Sequence, residues 1–576
     1  MNNNKNMMLA IVLSALVLLA WSFVSEKFFP TALPQTQKVE DGKVKPIANP
    51  VSDSGTVAPT PAALRNLSQV LVESPRVAIR TPSLRGSINL KGARFDDLVM
   101  VRQTETINSD AAPVRLLSPA GAKGSYFGQF GWSGQGVAVP DANSVWTASA
   151  QVLTPGKPVT LSWTNPTGQR FEQVIAVDDG YLFTIRQRVA NGSAGAIALR
   201  SFGLVSRATK SGDPTSWTSH VGPISYLGDT ADYGVDWETL DEDKAGITRD
   251  SRGGWLGFTD KYWLTALVPG TGAPVEASLR KSASGAYQAD YAGQPFTVAP
   301  GQIVSNEVRL FAGAKEKKWL DTYETAGITK LSKSIDWGWF EWFMRPIFNL
   351  LQWLFKVTGN FGVAIICLTL IVRTLMYPIA DRQFRSMAAM RRIQPKMKAV
   401  QERYKDDKPK QQQEILKLYQ TEKVNPAAGC LPILLQIPVF YALYKVLMVS
   451  VEMRHQPFVL WIKDLSAPDP LTPVNLFGFL DFTPPSFLAL GVLPILLGVT
   501  MWMQFKLNPQ QGDPVQQQIF SIMPWVLMFV MAGFAAGLQL YWVVNNILTI
   551  AQQKWLYYRY DHEMNPPASE PELVKK

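Results

Sequence analysis

Five stretches of this chain carry almost no charge, and that feature constrains its fold more than any other. Asn6–Ser25, Val424–Tyr444, Phe482–Phe505 and Pro514–Gln553 hold no Asp, Glu, Lys or Arg, and Val357–Ala380 holds one charge, Arg373. A helix needs about 20 apolar residues to cross the ~30 Å hydrocarbon core of a bilayer. The forty residues of Pro514–Gln553 would make one helix of about 60 Å at ~1.5 Å per residue, two bilayers long. They read instead as two helices joined by a tight turn within Ala532–Gly537, a stretch rich in Ala and Gly. Six membrane spans are therefore expected.

Positive charge sets the expected orientation. Asp381–Lys423 carries twelve Lys/Arg against six Asp/Glu, whereas Val451–Asp481 carries two against four. The first loop is thus expected in the cytoplasm and the second outside. Both termini then lie in the cytoplasm, and Glu26–Lys356 lies outside, in the periplasm of a double-membraned bacterium. The first span is followed by WSFVSEKFFP, which lacks a small-x-small cleavage site and a lipobox cysteine, so it reads as an uncleaved signal anchor.

The outer segment begins with a Pro-, Ala- and Thr-rich tether that has no period. From Asn66 the texture becomes short β-rich runs, such as VESPRVAIR, GSINL and SNEVRLFAG, broken by Gly, Asn and Asp. That pattern predicts a large antiparallel β-sandwich, closed by a helix near Lys315–Ala326. The Trp- and Phe-rich run DWGWFEWFMRPIFNLLQWLFK reads as an amphipathic helix on the outer leaflet, or as a thicker edge of the second span. The expected organisation is a signal-anchor span at 1–28, a linker at 29–65, the β-domain at 66–335 and the interfacial helix at 336–356. Spans follow at 357–380, 425–450, 487–506, 519–536 and 537–556, with a cytoplasmic helical hairpin at 381–424. An outer loop at 451–486, a cytoplasmic loop at 507–518 and a tail at 557–576 complete the chain.

Composition excludes several classes. Two cysteines and three histidines (His220, His455 and His562) in 576 residues rule out a disulfide scaffold and any Cys/His metal cage. Cys367 and Cys430 fall within spans and read as small apolar fillers. There is no G-x-S-x-G, Walker loop or H-E-x-x-H, so neither catalytic residues nor a cofactor nor a metal is expected.

Arg373 is the most informative residue. An arginine near the middle of a membrane helix costs about 2.5–3.5 kcal/mol on insertion scales and is usually functional, although six residues from the span's end it could also snorkel. Thr369, Arg373 and Tyr377 are spaced by four, so they share one helix face. Gln436, Gln504, Gln539, Tyr541, Asn545 and Asn546 add uncharged polarity to other spans. Such groups can simply join helices, or they can line a water-accessible groove. Pro378, Pro432, Pro438, Pro494 and Pro524 are expected to kink or end helices. In the hairpin, Met387, Met390, Ile393, Met397, Val400 and Tyr404 form one apolar stripe. Its basic surface, including Arg391, Arg392, Lys396 and Lys398, reads either as a solvated face or as a docking arm for ribosome, nascent chain or anionic lipid.

The motifs IVRTLMYP, SMAAMRRIQPKMKAVQERYKDD, EKVNPAAGCLPILLQIPVFYALY, WIKDLSAPDP and GLQLYWVVNNILTIAQQ, in this order, resemble those of the YidC membrane protein insertases. The resemblance implies five core helices around a hydrophilic groove open to cytoplasm and lipid and closed outside, plus a periplasmic β-supersandwich akin to mutarotase folds. It implies a groove arginine at Arg373 and client contacts near Thr369, Tyr541 and Trp542. With the polar residues above, the expected groove set is Thr369, Arg373, Tyr377, Gln436, Met501, Tyr541, Trp542 and Asn545. The implied partners are nascent membrane proteins, the Sec translocon with its accessory subunits, the ribosome through the hairpin, and membrane lipids, with no specific nucleic acid. Trp542 stands where a second tyrosine is common, and the tail from Tyr557 is not basic. Two other readings use the same residues. A small-solute transporter lacks paired intramembrane acids and an inverted repeat here, and an outer-face sugar enzyme would have only His220 in its domain.

Overall fold

The computed structural model describes residues 65–559 apart from 109, 214–218, 244, 339, 406, 423–430, 481–489 and 508–513, with only the backbone of 383–392, 394, 408, 431–435, 478, 514–517, 519, 520 and 557. The expected signal anchor and linker therefore lie outside the described residues, as does Cys430.

Residues 76–314 form two facing sheets of eleven and nine strands among the described residues. Apolar alternation explains the pairing. In Gln169–Val177 every second side chain is buried, and the strand lies antiparallel to Leu182–Asn191, which pairs in turn with Ile303–Ala314. The residues turned inward include Phe171, Phe183, Ile185 and Leu310, which fill the space between the sheets. Two glutamines also point inward. Gln173 Nε2 donates to Phe130 O at 2.8 Å and Gln187 Nε2 to Gly131 O at 3.1 Å, so these buried amides tie the second sheet to Tyr126–Gly134 of the first. Gly131 permits close packing there: a Cβ would sit 2.8 Å from the Phe202 ring. The antiparallel β-sandwich expected from the sequence is present.

Helix α1 (Leu67–Val72) precedes the sandwich, α2 (Trp237–Glu242) lies within it, and α3 (Lys317–Thr325) closes it. Tyr323 of α3 donates its hydroxyl to Asp178 at 2.7 Å and accepts the Tyr181 N–H at 2.8 Å. Helix α4 (Glu341–Thr358) follows and buries Met344, Phe348, Leu351 and Leu354 against α5 (Phe361–Arg403) and α7 (Leu431–Val449). Its opposite face leaves Trp342 73% and Trp353 57% exposed. Gly359 ends α4 in the left-handed region with φ 69°, a conformation glycine adopts without cost. The side chain of Asn360 then caps α5 by accepting from Val363 N.

Helix α5 runs unbroken for 43 residues, so the apolar segment and the first arm of the hairpin are one rod. Helix α6 (Lys408–Thr421) forms the second arm. Helices α8 (Val492–Leu507), α9 (Pro514–Met531) and α10 (Ala536–Arg559) pack α8 against α9 and α10, and α10 against α5 and α7. The prolines do not end helices, in contrast to one of the two expectations. Pro378, Pro438 and Pro524 lie inside α5, α7 and α9. Pro432 and Pro494 fall within the first turns of α7 and α8, where a missing N–H leaves no bond unmade. Among the described helices, only 361–382 is by itself long and apolar enough to cross a membrane, with a mean hydropathy of 2.1; 436–449, 492–507 and 521–531 are shorter apolar helices.

Candidate functional site

Arg373 projects from α5 onto α10. Its Nε donates to Asn545 Oδ1 at 2.8 Å, and its Nη2 to Thr549 Oγ1 at 2.5 Å and to Asn545 O at 3.4 Å. Thr549 turns its own hydroxyl hydrogen back to Asn545 O at 2.6 Å, which leaves a lone pair for the guanidinium. Arg373 Nη1 has no partner among the described residues, and the side chain is only partly buried. A fork of five donors, some of them held and some left over, both fixes the charge and presents it.

The other polar groups also find partners across helices. Gln436 of α7 donates to the Tyr541 hydroxyl of α10. Asn546 Nδ2 donates to Thr500 Oγ1 of α8 at 3.1 Å. Gln539 Nε2 reaches Met531 O and Phe534 O, both at 2.8 Å, and so satisfies a carbonyl at the end of α9 and one in the turn after it. Further along α5, the ring of Tyr377 lies 5.8 Å from that of Trp555, and Arg559 lies 5.5 Å over the same indole while donating to the Tyr377 hydroxyl at 3.4 Å. Phe440 meets Trp542 edge to face at 5.1 Å.

The eight groove candidates thus fall into two sets. Arg373, Tyr377, Gln436, Trp542 and Asn545 are partly exposed. Thr369, Met501 and Tyr541 are buried. Although Thr369 shares the face of Arg373, it bonds its own helix, donating to Ile365 O at 2.7 Å. Thr549 and Thr500 were not among the sequence candidates. The spacing of four from Asn545 could have pointed to Thr549, but only the contact itself points to Thr500.

In the hairpin, Ile393 and Met397 are buried. Tyr419 of α6 approaches the Met397 sulfur at 3.3 Å, and Gln411 donates to Gln401 O at 2.8 Å. Lys396 pairs with Glu422 at 2.6 Å, and Lys398 is exposed. The side chains of Arg391 and Arg392 lie outside the described residues. His220, in the β-domain, bonds Pro223 O at 2.6 Å and packs against Tyr233. Burial pushes its pKa down, which favours a neutral packing residue.

Two family models match this chain. One, described as 60Kd inner membrane protein, covers residues 353–563, and the other, YidC periplasmic domain, covers 76–350. A protein of Zymomonas mobilis named membrane protein insertase YidC is 46% identical over 562 residues, with 97% of this chain and 96% of that one covered. This chain belongs to the YidC family. A Rhizobium etli protein of the same name is 43% identical over 97% of this chain and 96% of its own length. A YidC insertase crystal structure with the first transmembrane domain resolved covers 83% of this chain and 92% of its own, at 17% identity and a TM-score of 0.36. A galactose mutarotase related enzyme from Lactobacillus acidophilus covers 41% of this chain and 97% of its own, at 8% identity and a TM-score of 0.30. As a YidC-family protein the chain is an inner membrane protein with a periplasmic domain, which is the sandwich at 76–314.

Proposed function

We propose that this chain inserts newly made proteins into the inner membrane, and that Arg373 gives the polar part of a client a place to rest on the way. Family membership supports insertion, and the observation that carries the role of Arg373 is its tether. A guanidinium is held by Asn545 and Thr549 within the apolar part of α5 and keeps a donor in hand. A hydrophilic client segment meeting that group loses less hydration than it would in bare hydrocarbon. The apolar client helix then partitions into lipid, driven by its own burial. The chain carries out this step without nucleotide, cofactor or metal.

The arrangement in the membrane follows the charge bias of the loops. Six spans place both termini in the cytoplasm, with α4 lying on the outer leaflet through Trp342 and Trp353. The partly exposed set of Arg373, Tyr377, Gln436, Trp542 and Asn545 faces the client, with buried Thr369, Met501 and Tyr541 supporting it. The hairpin, through Arg391, Arg392, Lys396 and Lys398, meets the ribosome or anionic lipid, and the chain works alone or beside the Sec translocon. Proteoliposomes containing the purified chain test this reading, with a single-span client whose short outer tail is acidic. Protease-protected client should accumulate only in vesicles with the chain and fall at least fivefold with Arg373→Ala. Equal protection in empty vesicles removes the insertion reading, and an unchanged Arg373→Ala removes the role of the charge.

A further inference from the structure

The loop between α7 and α8 supplies what two helix N-termini lack and holds the capping residue of a third. The first N–H groups of a helix have no partner within it. The loop carbonyls Ala467 O and Leu465 O accept from Ala536 N at 2.7 Å and Gly537 N at 2.9 Å, the first two residues of α10. Asp469 Oδ2 accepts from Leu493 N, the second residue of α8, at 2.7 Å. Phe458 O accepts from the side chain of Asn360, the cap of α5, at 3.0 Å. The Phe458 ring also fills the space at Gly362, where a Cβ would lie 2.0 Å from it. One loop therefore touches the starts of α5, α8 and α10, which the charge bias places at the outer face.

Asp469 organises this loop. It is 6% exposed, and its Oδ1 accepts from Trp461 Nε1 at 2.9 Å and from Leu471 N at 3.1 Å while Oδ2 holds α8. The indole of Trp461 is thereby fixed, and the loop around it is tied by Leu465 N to Gln456 O and Phe458 N to Ile462 O, both at 2.9 Å. An anion at the start of α8 is also favoured by the helix dipole. Gly491 makes room for it, since a Cβ there would lie 2.6 Å from that of Asp469. Nearby Asp464 has a local role, bonding Ser466 and standing 3.8 Å from His455.

We propose that Asp469 is a positioning residue that latches the loop 458–471 across the ends of α5, α8 and α10 and seals the outer end of the helical core. Breaking the latch should let water reach the helices from outside. The proposal rests on the membrane orientation given above, and its readout needs no client.

The reporter is native Cys367, two turns inside α5, in a full-length chain carrying Cys430→Ser and reconstituted in vesicles. A membrane-impermeant maleimide is added to the outer side, and folding is followed by the thermal midpoint. Slow labelling is expected in the parent and in Asp464→Asn. Labelling should be at least tenfold faster in Asp469→Ala, with Asp469→Asn between them because it keeps the Oδ1 bonds and loses the acceptor for Leu493. Should Asp469→Ala fail to fold, Asp469→Asn alone decides: faster labelling supports the latch and the parent rate overturns it. Parent-rate labelling in folded Asp469→Ala, fast labelling in the parent, or equal acceleration in Asp464→Asn each overturns it too. Client insertion is measured in the same vesicles, so loss of insertion in the parent with Asp469-dependent labelling removes the insertase reading and leaves the latch standing.

Discussion

The Arg373 tether gives the most discriminating experiment, because the same side chain joins two helices and carries a charge. The two well-formed bonds, to Asn545 Oδ1 at 2.8 Å and Thr549 Oγ1 at 2.5 Å, are charge-assisted. Hydrogen bonds to charged groups contribute ~1.5–3 kcal/mol in water-soluble proteins, whereas interhelical bonds in membranes average ~0.6 kcal/mol. A coupling of about 1 kcal/mol between positions 373 and 545 is therefore expected from a double-mutant cycle of Arg373→Ala and Asn545→Ala, read by reversible unfolding of the full chain in mixed micelles. The charge is a separate quantity. An acidic client group ~6 Å from the guanidinium at an effective dielectric of ~20 to 60 gains about 1–3 kcal/mol, a preference of roughly 5- to 150-fold over a neutral tail. Asn545→Ala keeps the charge, so it should lower stability and leave that client preference within about twofold of the parent, by comparison with the tenfold steps that 1.4 kcal/mol would give. Arg373→Lys should likewise keep the preference but lose the fork. The reasoning is refuted if Asn545→Ala abolishes the acidic-tail preference as completely as Arg373→Ala, or if the cycle shows no coupling.

Three further outcomes follow from the outer domain and its junction. Burial lowers the pKa of Lys315, which is hydrogen-bonded to Thr259 and Asp260 O, to about 8 from 10.5. The unfolded chain therefore holds this proton more tightly between those values, and the stability attributable to Lys315 is lowest and flat below pH 8 and rises from there to pH 10.5, by about 3 kcal/mol in all. Thermal midpoints of the parent relative to Lys315→Met should climb over that window, and parallel curves would count against the assignment. Lys445 is 1% exposed and stands 3.5 Å from Asp336, so Asp336→Ala should cost about 3 kcal/mol by taking a carboxylate away from a buried cation, with Lys445→Met added to it recovering most of the loss; chemical unfolding of both variants measures this, and additive losses would contradict it. Gly131→Ala should cost about 1–3 kcal/mol by overpacking against the Phe202 ring 2.8 Å away, and an unchanged unfolding midpoint would show that the ring moves aside freely.

Legibility in the sequence divides along physical lines. Local signals read well: strands such as Gln169–Val177 alternate buried and solvent-facing residues, and the Gly- and Asn-rich breaks between such runs marked out the sandwich. Spacing by four placed Thr369, Arg373 and Tyr377 on one face, but could not show that Thr369 bonds its own backbone while Arg373 reaches Asn545, 172 positions away. The prolines left kinking and ending both open, and the sequence alone could not show that the helices run on through Pro378, Pro438 and Pro524 despite a missing donor. Asp469 stood in the motif WIKDLSAPDP, but its role was not legible, since it depends on Trp461 and Leu493 arriving from either side of a loop without period.

The partners of the polar residues bear on how their substitution should be interpreted. Gln436 meets Tyr541, Thr500 meets Asn546, Gln539 meets the end of α9, and Arg373 meets Asn545 and Thr549. Within apolar helices, each of these groups must find a partner or lose its hydration uncompensated, so the polar pattern reports which helices are neighbours before it reports where a client passes. Loss of insertion on changing Gln436 or Tyr541 would follow from either role. At Arg373 the two roles rest on different atoms, because Nε and Nη2 are committed to α10 while Nη1 has no partner among the described residues. A variant that releases the tie and keeps the charge separates them, and for that reason Asn545→Ala is more informative about the client path than removal of the arginine itself.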